Sequence, residues 1–205
     1  MNYGDLKTHF NNLLNRSDIT TSLTTTFINQ GLSRIQRQLR TPVQEKVNTY
    51  TISAQTPFVT LPQDFLEIIS LYFDDTEISR IPMSRFRPLN KNTYAGTPHN
   101  FTRQQEKLFL YPQPSSGEVV LYYYSEFTPF TLDTDENALS KIAPDLIIYS
   151  ALTYASDYYL DERAAQFEQK FIGFLTELQE QANDQEVNGG TQVIQPTARY
   201  SRTGL

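Results

Sequence analysis

Cysteine and tryptophan are absent from this 205-residue chain, methionine occurs twice and glycine eight times. Without cysteine there are no disulfides, thiolate metal sites or thiol nucleophiles, so the fold must hold without covalent staples. The glycines are scattered, and only Gly189 and Gly190 are adjacent, so no loop of the phosphate-cradling kind exists. No window approaches the roughly 18 apolar residues that a membrane span requires. Met1 to Phe10 carries Asp5 and His9 and lacks an apolar run of signal-peptide length, which argues against secretion by a signal peptide. The glycosylation-type triplets Asn15-Arg16-Ser17 and Asn100-Phe101-Thr102 are accordingly read as chance matches. His9 and His99 are the only histidines, far apart and without helical metal spacing, so each is assigned a structural or surface role.

What the chain has in excess is tyrosine and phenylalanine, 13 of each. Tyrosine joins a large apolar ring to a polar tip, and so suits surfaces that end half buried, such as subunit interfaces. The length is that of one large domain or two small ones, enough to bury roughly 70% of the surface exposed by the unfolded chain.

The net charge of −6 is spread unevenly. Residues 1 to 42 set Lys7, Arg16, Arg34, Arg37 and Arg40 against Asp5 and Asp18, a balance of +3. Residues 143 to 184 carry eight acids against Arg163 and Lys170, a balance of −6. Opposite signs on the two terminal helical segments favour packing them side by side, although exposed pairs contribute little each.

Helical signals occupy both ends. Asn2 is placed to cap a first helix in which Leu6, Phe10 and Leu13 recur at helical spacing, and Asn15 to Asp18 break it. A second helix presents Leu23, Phe27, Ile28, Leu32, Ile35 and Leu39, and Thr41-Pro42 closes it because the residue before proline leaves the helical region. Arg34, Arg37 and Arg40 fall off that stripe. They read as a solvated or ion-paired face rather than a phosphate tracker, and are the candidate partner-binding helical face.

From Val43 the apolar period shifts towards 2. Val47–Ile52, Phe58–Leu61, Leu66–Phe73, Lys107–Tyr111 and Glu118–Phe127 are predicted strands, the last two joined as a hairpin by Ser115-Ser116-Gly117. Ser84 to Leu89 predicts a short helical turn, and Asn90 to Asn100 a long loop. Helix returns at Pro144 with an apolar arc wide enough for a helix covered on most sides. Phe167, Phe171, Phe174 and Leu178 then give a half-exposed helix. Helical ends around a strand-rich centre make the class α+β.

The search for chemistry returns near misses. Asp133-Thr134-Asp135-Glu136-Asn137 opens like a calcium loop, but Ala138 stands where glycine is needed and Pro144 where a bidentate glutamate is needed, so it reads as a capped turn. Asp74-Asp75-Thr76-Glu77 and the Asp133 cluster are carboxylate groups in turn-like contexts, where acids are ordinary. In Tyr122-Tyr123-Tyr124 the outer two share a strand face. A base-stacking platform needs a basic groove, and the flanks offer Glu118 and Glu126, so a core or interface role is assigned. No enzyme, metal or cofactor is expected.

The polar end, Gln185 to Leu205, holds too few apolar residues to offset its ordering entropy alone. Its 21 residues would reach ~70 Å if extended. Gln192-Val193-Ile194-Gln195 suits addition to a sheet edge, and Arg199-Tyr200-Ser201-Arg202 supplies anchor-type side chains. A frayed end and a docking arm both fit it.

Several runs, taken in order and spacing, carry a family resemblance. Tyr3-Gly4-Asp5-Leu6 with Leu13-Leu14-Asn15-Arg16, Phe27-Ile28-Asn29-Gln30 through Arg40, and Leu61 to Glu67 form its first half. Leu108 to Pro114, Tyr122-Tyr123-Tyr124 and Ala143 to Tyr149 form its second. Together they resemble head-to-tail adaptor proteins of short-tailed bacteriophages, over nearly the whole chain to about Leu178.

The resemblance implies an antiparallel helical bundle from residues 1–42 and 138–184, a β-rich insertion at 43–137 and an extended C-terminal arm at 185–205. It implies a ring, expected to be a dodecamer, that binds the portal protein after DNA packaging. The ring would extend or close the exit channel and give tail nozzle or fibre proteins their platform. Val193, Ile194, Arg199, Tyr200 and Arg202 would then be portal-binding residues of the arm. DNA would be channel cargo only, with no membrane partner, and the protein would sit in the virion neck after assembly in the host cytoplasm. A tail-tube or stopper protein is the nearest alternative; a nucleic-acid-binding module and a hydrolase are rivals from other classes.

Overall fold

The structure is a computed structural model and describes residues 1–91 and 94–187, with the side chains of 185–187 left aside. Its class is α+β, with helices at both ends of the described chain and two four-stranded sheets between them.

Helix α1 (Tyr3–Leu14) begins where the Asn2 side chain accepts from the Asp5 N–H, and ends at Asn15 in the left-handed region. Helix α2 (Thr21–Gln38) is capped by Thr20, whose hydroxyl accepts from the Leu23 N–H. Such side-chain oxygens satisfy N–H groups that the first turn leaves without partners. Helix α5 (Pro144–Tyr159) follows the short α4 (Ala138–Ile142), and α6 (Ala164–Val187) closes the described chain. These helices share one apolar core in which Leu6, Phe10, Ile28, Ile35, Ile147, Ala151 and Phe171 are buried. As its wide apolar arc predicts, α5 is central and packs on α1, α2 and α6. Gly31 lets α2 approach α5 closely: a Cβ there would lie 2.9 Å from the Ala151 nitrogen. The Ser150 hydroxyl donates across the same contact to the Gly31 carbonyl at 3.1 Å.

The first sheet contains β1 (Glu45–Ile52), β8 (Gly117–Ser125), β3 (Phe65–Phe73) and β4 (Thr76–Glu77), in that order. The second contains β2 (Phe58–Thr60), β7 (Lys107–Tyr111), β6 (Asn100–Gln104) and β5 (Ser79–Arg80). Leu71, Phe73, Val119, Leu121 and Tyr123 of the first meet Val59, Phe101, Leu108 and Leu110 of the second in a separate core, so the two sheets form a sandwich. Helix α3 (Met83–Leu89) covers the far side of the second sheet, with Phe86 packed edge-on against Phe109 and Tyr111.

The hairpin expected between 107–111 and 118–127 does not form. β7 pairs with β2 and β6, while β8 pairs with β1 and β3, so Gly117 carries the chain from one sheet to the other. Gly117 sits at φ +128°, and a Cβ there would lie 2.5 Å from the Phe73 ring. Both strands alternate apolar residues with matching period, and that pattern serves face-to-face packing as well as edge-to-edge pairing. β6, which begins at the end of the expected 90–100 loop, and the short β4 and β5 were not expected as strands. Asp74 and Asp75, both at positive φ, make the tight turn between β3 and β4.

A buried polar joint links the two cores. Gln44 accepts from the Thr41 N–H at 3.1 Å through its side-chain carbonyl, and its backbone carbonyl accepts from the Ser125 hydroxyl at 3.0 Å. Gln44 and Ser125 are 1% and 3% exposed, so the joint excludes water.

Candidate interaction surfaces

The Asp133 cluster is structural. The Asp135 carboxylate accepts from the Leu132 and Thr131 N–H groups, which hold it below its ordinary range. Lys7 pairs with Asp133, and the Asp133 and Asp135 carbonyls accept from the Gly4 and Tyr3 N–H groups, fixing the start of α1. Asn137 and Ser140 form a capping box on α4. The carboxylates thus hold a turn together, and no cluster able to hold a metal ion occurs among the described residues. His9 and His99 are both exposed.

Arg34, Arg37 and Arg40 lie close in sequence but have different surroundings. The Arg34 guanidinium makes two bonds to Glu168 on α6, of 2.8 and 2.6 Å, and stacks 4.1 Å from the Phe171 ring centre. These bonds hold the Glu168 carboxyl below its usual range. Arg40 donates to Glu67 on β3 at 2.9 Å and to the Gln36 and Leu39 carbonyls, and its backbone exchanges two bonds with the Gln179 side chain. Arg37 alone is exposed, beside a shallow depression of about 430 Å³ lined by Asn29, Gln30, Ser33 and Tyr154. Two of the three arginines therefore tie elements together.

Among the described residues, three surfaces with uncovered apolar side chains are candidate docking faces. The first is a hollow of about 480 Å³ between Val43, Ile142, Leu178 and Ala182, near the described end of α6. The second is the outer face of the first sheet. Here Val47, Tyr122 and Ile69 are exposed, and Tyr72 packs edge-on against Tyr122 at 5.7 Å. Ile69 lies in a β-bulge, where register shifts between Ile68 and Ser70, and such an extra residue re-aims a side chain. The third is α3, where Met83 and Leu89 are exposed along with Arg85, Arg87 and the following Lys91.

The five candidate arm residues, Val193, Ile194, Arg199, Tyr200 and Arg202, lie outside the described residues, as does most of the expected arm. The Asp133 and Asp135 carboxylates thus serve the fold, while apolar patches face outward. Compared with known families, residues 1–195 match the one described as SU10 adaptor protein. The chain belongs to that family. It is a phage head-to-tail adaptor protein. The match runs beyond Leu178 and takes in Val193 and Ile194. No curated protein matches the chain.

Sequence reasoning missed the third surface of this adaptor. Arg80, Arg85, Arg87, Lys91, Arg103 and Lys107 face only Glu106 between residues 79 and 111, a local balance of +5. Averaged over the acidic stretch around it, that cluster disappears. A sliding charge count at the scale of one element would have found it.

Proposed function

We propose that this adaptor is a structural protein of the virion neck that assembles as a ring, expected to be a dodecamer, on the portal once DNA is packaged. The ring extends or closes the DNA channel and gives the tail its attachment platform. Residues 1–42 with 138–184 form the body against the portal, 43–137 the β-rich insertion facing neighbours or tail proteins, and 185–205 the arm along the portal. The observation that carries this reading is the family match over residues 1–195. The two separate apolar cores and the internal use of the Asp133 and Asp135 carboxylates support it.

The test is a mass measurement of the protein alone and mixed with its cognate portal. A monomer that becomes a ring only with the portal is the expected result. A ring formed without the portal favours a tail-tube or stopper protein, and absence of binding removes the reading. Deleting residues 185–205 should leave a folded protein that no longer joins portal rings; undiminished binding refutes the arm.

A further inference from the structure

The β-sandwich carries two exposed surfaces of opposite charge on opposite sides. On one side lies the uncovered face of the first sheet, with Val47, Ile69 and Tyr122 exposed. Glu45, Asp75, Glu77 and Glu118 are exposed on the strands and turn of that sheet, and none forms an ion pair among the described residues. Its opposite face is buried against the second sheet, and α3 covers the second sheet's far side. The outward side of α3 therefore points away from the first sheet. There Arg85, Arg87 and Lys91 are exposed, equally without ion pairs among the described residues, with Met83 and Leu89 exposed on the same short helix.

Each surface combines apolar residues with unpaired charges mainly of one sign, and each supplies what the other lacks. We propose that they bind each other between copies: the aromatic, acidic sheet face of one chain docks on the basic α3 surface of the next. The pairing is heterologous, because two different patches of the same chain meet, and such contacts build rings when the rotation closes and filaments when it does not. Two complementary patches on opposite sides of one layer structure give each copy a neighbour on both sides. Charges around an apolar centre set register and exclude wrong partners more than they add affinity. This pairing rests on the neck reading, for which it names the contact between neighbours.

The absence of cysteine makes the test clean, since introduced thiols are the only ones present. Tyr122→Cys on the sheet face and Leu89→Cys on α3 are both at exposed positions, and circular dichroism checks that each variant is folded. With a short bismaleimide, in the presence of the cognate portal, the double variant should give a ladder of covalent oligomers. An equal mixture of the two single variants should stop at dimers, and each alone should stay monomeric. Arg85→Glu with Arg87→Glu in the double-cysteine chain should lower ladder yield by about tenfold, through like-charge juxtaposition. Adding Glu45→Arg and Asp75→Arg to that chain should restore it.

Cross-linking of Tyr122→Cys alone, as efficient as that of the double variant, would mean that the face pairs with itself and would overturn the proposal. So would duplex DNA binding that depends on Arg85 and Arg87 with no ladder. Rings on the portal without a ladder overturn the pairing and leave the neck reading standing. A ladder without portal binding supports the pairing and removes the neck reading.

Discussion

At the scale of single residues, the helical body depends on close approach and on a few charged groups used as ties. Gly31 is unfavourable in mid-helix by about 1 kcal/mol relative to alanine, so its replacement would raise helix propensity. The added methyl would meet the backbone of α5 at Ser150 and Ala151, which cannot move aside as a side-chain tip can. Overpacking of this kind costs about 1–3 kcal/mol, so Gly31→Ala is expected to lower stability in urea unfolding despite the propensity gain. Asp161 works differently. Its carboxylate is held down to about 2 by hydrogen bonds from the Arg163 side chain and backbone N–H. Arg163 also donates to the Leu13 and Leu14 carbonyls, closing the C-terminal end of α1. A carboxyl whose folded value is depressed stabilises fully above its unfolded value near 4, and that stabilisation is lost as pH falls towards 2. Unfolding midpoints measured between pH 5 and 2 should therefore fall less steeply in Asp161→Asn than in the natural chain. Equal slopes would show that the pair does not act on stability.

At the scale of elements, what was legible in the sequence was local and what was not was long-range. The cap at Asn2, the stop before Pro42 and the start at Pro144 are short-range signals, and the helices begin and end near them. The arginine stripe was legible as a helix face, but its partners Glu168 and Glu67 come from distant elements that helical spacing cannot specify. The hairpin failed for the same reason. Turn chemistry at Ser115-Ser116-Gly117 indicates a reversal, while the choice of partner belongs to sheet packing. Helix α3 shows how much a short element depends on such packing. It spans seven residues with Pro88 inside it, too short to hold by itself, and Phe86 is its one buried side chain. Phe86→Ala should cost about 3 kcal/mol and release α3 from Phe109 and Tyr111. Amide exchange of residues 83–89 should then accelerate while that of β8 changes far less; equal acceleration in both would mean that the sandwich opens as one unit.

At the scale of the molecule, the question is how two cores act as one body. The backbone crosses between them at residues 42–45 and again near Phe127, whose ring is buried with the helices although β8 leads into it. Between those crossings, Thr41, Gln44 and Ser125 exchange hydrogen bonds away from water, and Arg40 reaches Glu67 on β3 while its backbone bonds Gln179 on α6. Apolar contacts fill each core separately, so the polar joint transmits strain between them. Gln44→Ala removes the side chain that satisfies the Thr41 N–H and leaves that group buried without a partner, a loss of about 1–3 kcal/mol. The loss falls on the coupling between the cores as well as on total stability. In the natural chain, helix signal at 222 nm and tyrosine absorbance should report one transition, because cooperative unfolding makes probes coincide. In Gln44→Ala the sandwich and the helices should melt at separate midpoints, so tyrosine absorbance, to which six strand and five helix tyrosines contribute, should split into two steps of which only one follows the helix signal. If the two probes still coincide in that variant, the cores are coupled by their surrounding contacts, and the joint only adds stability.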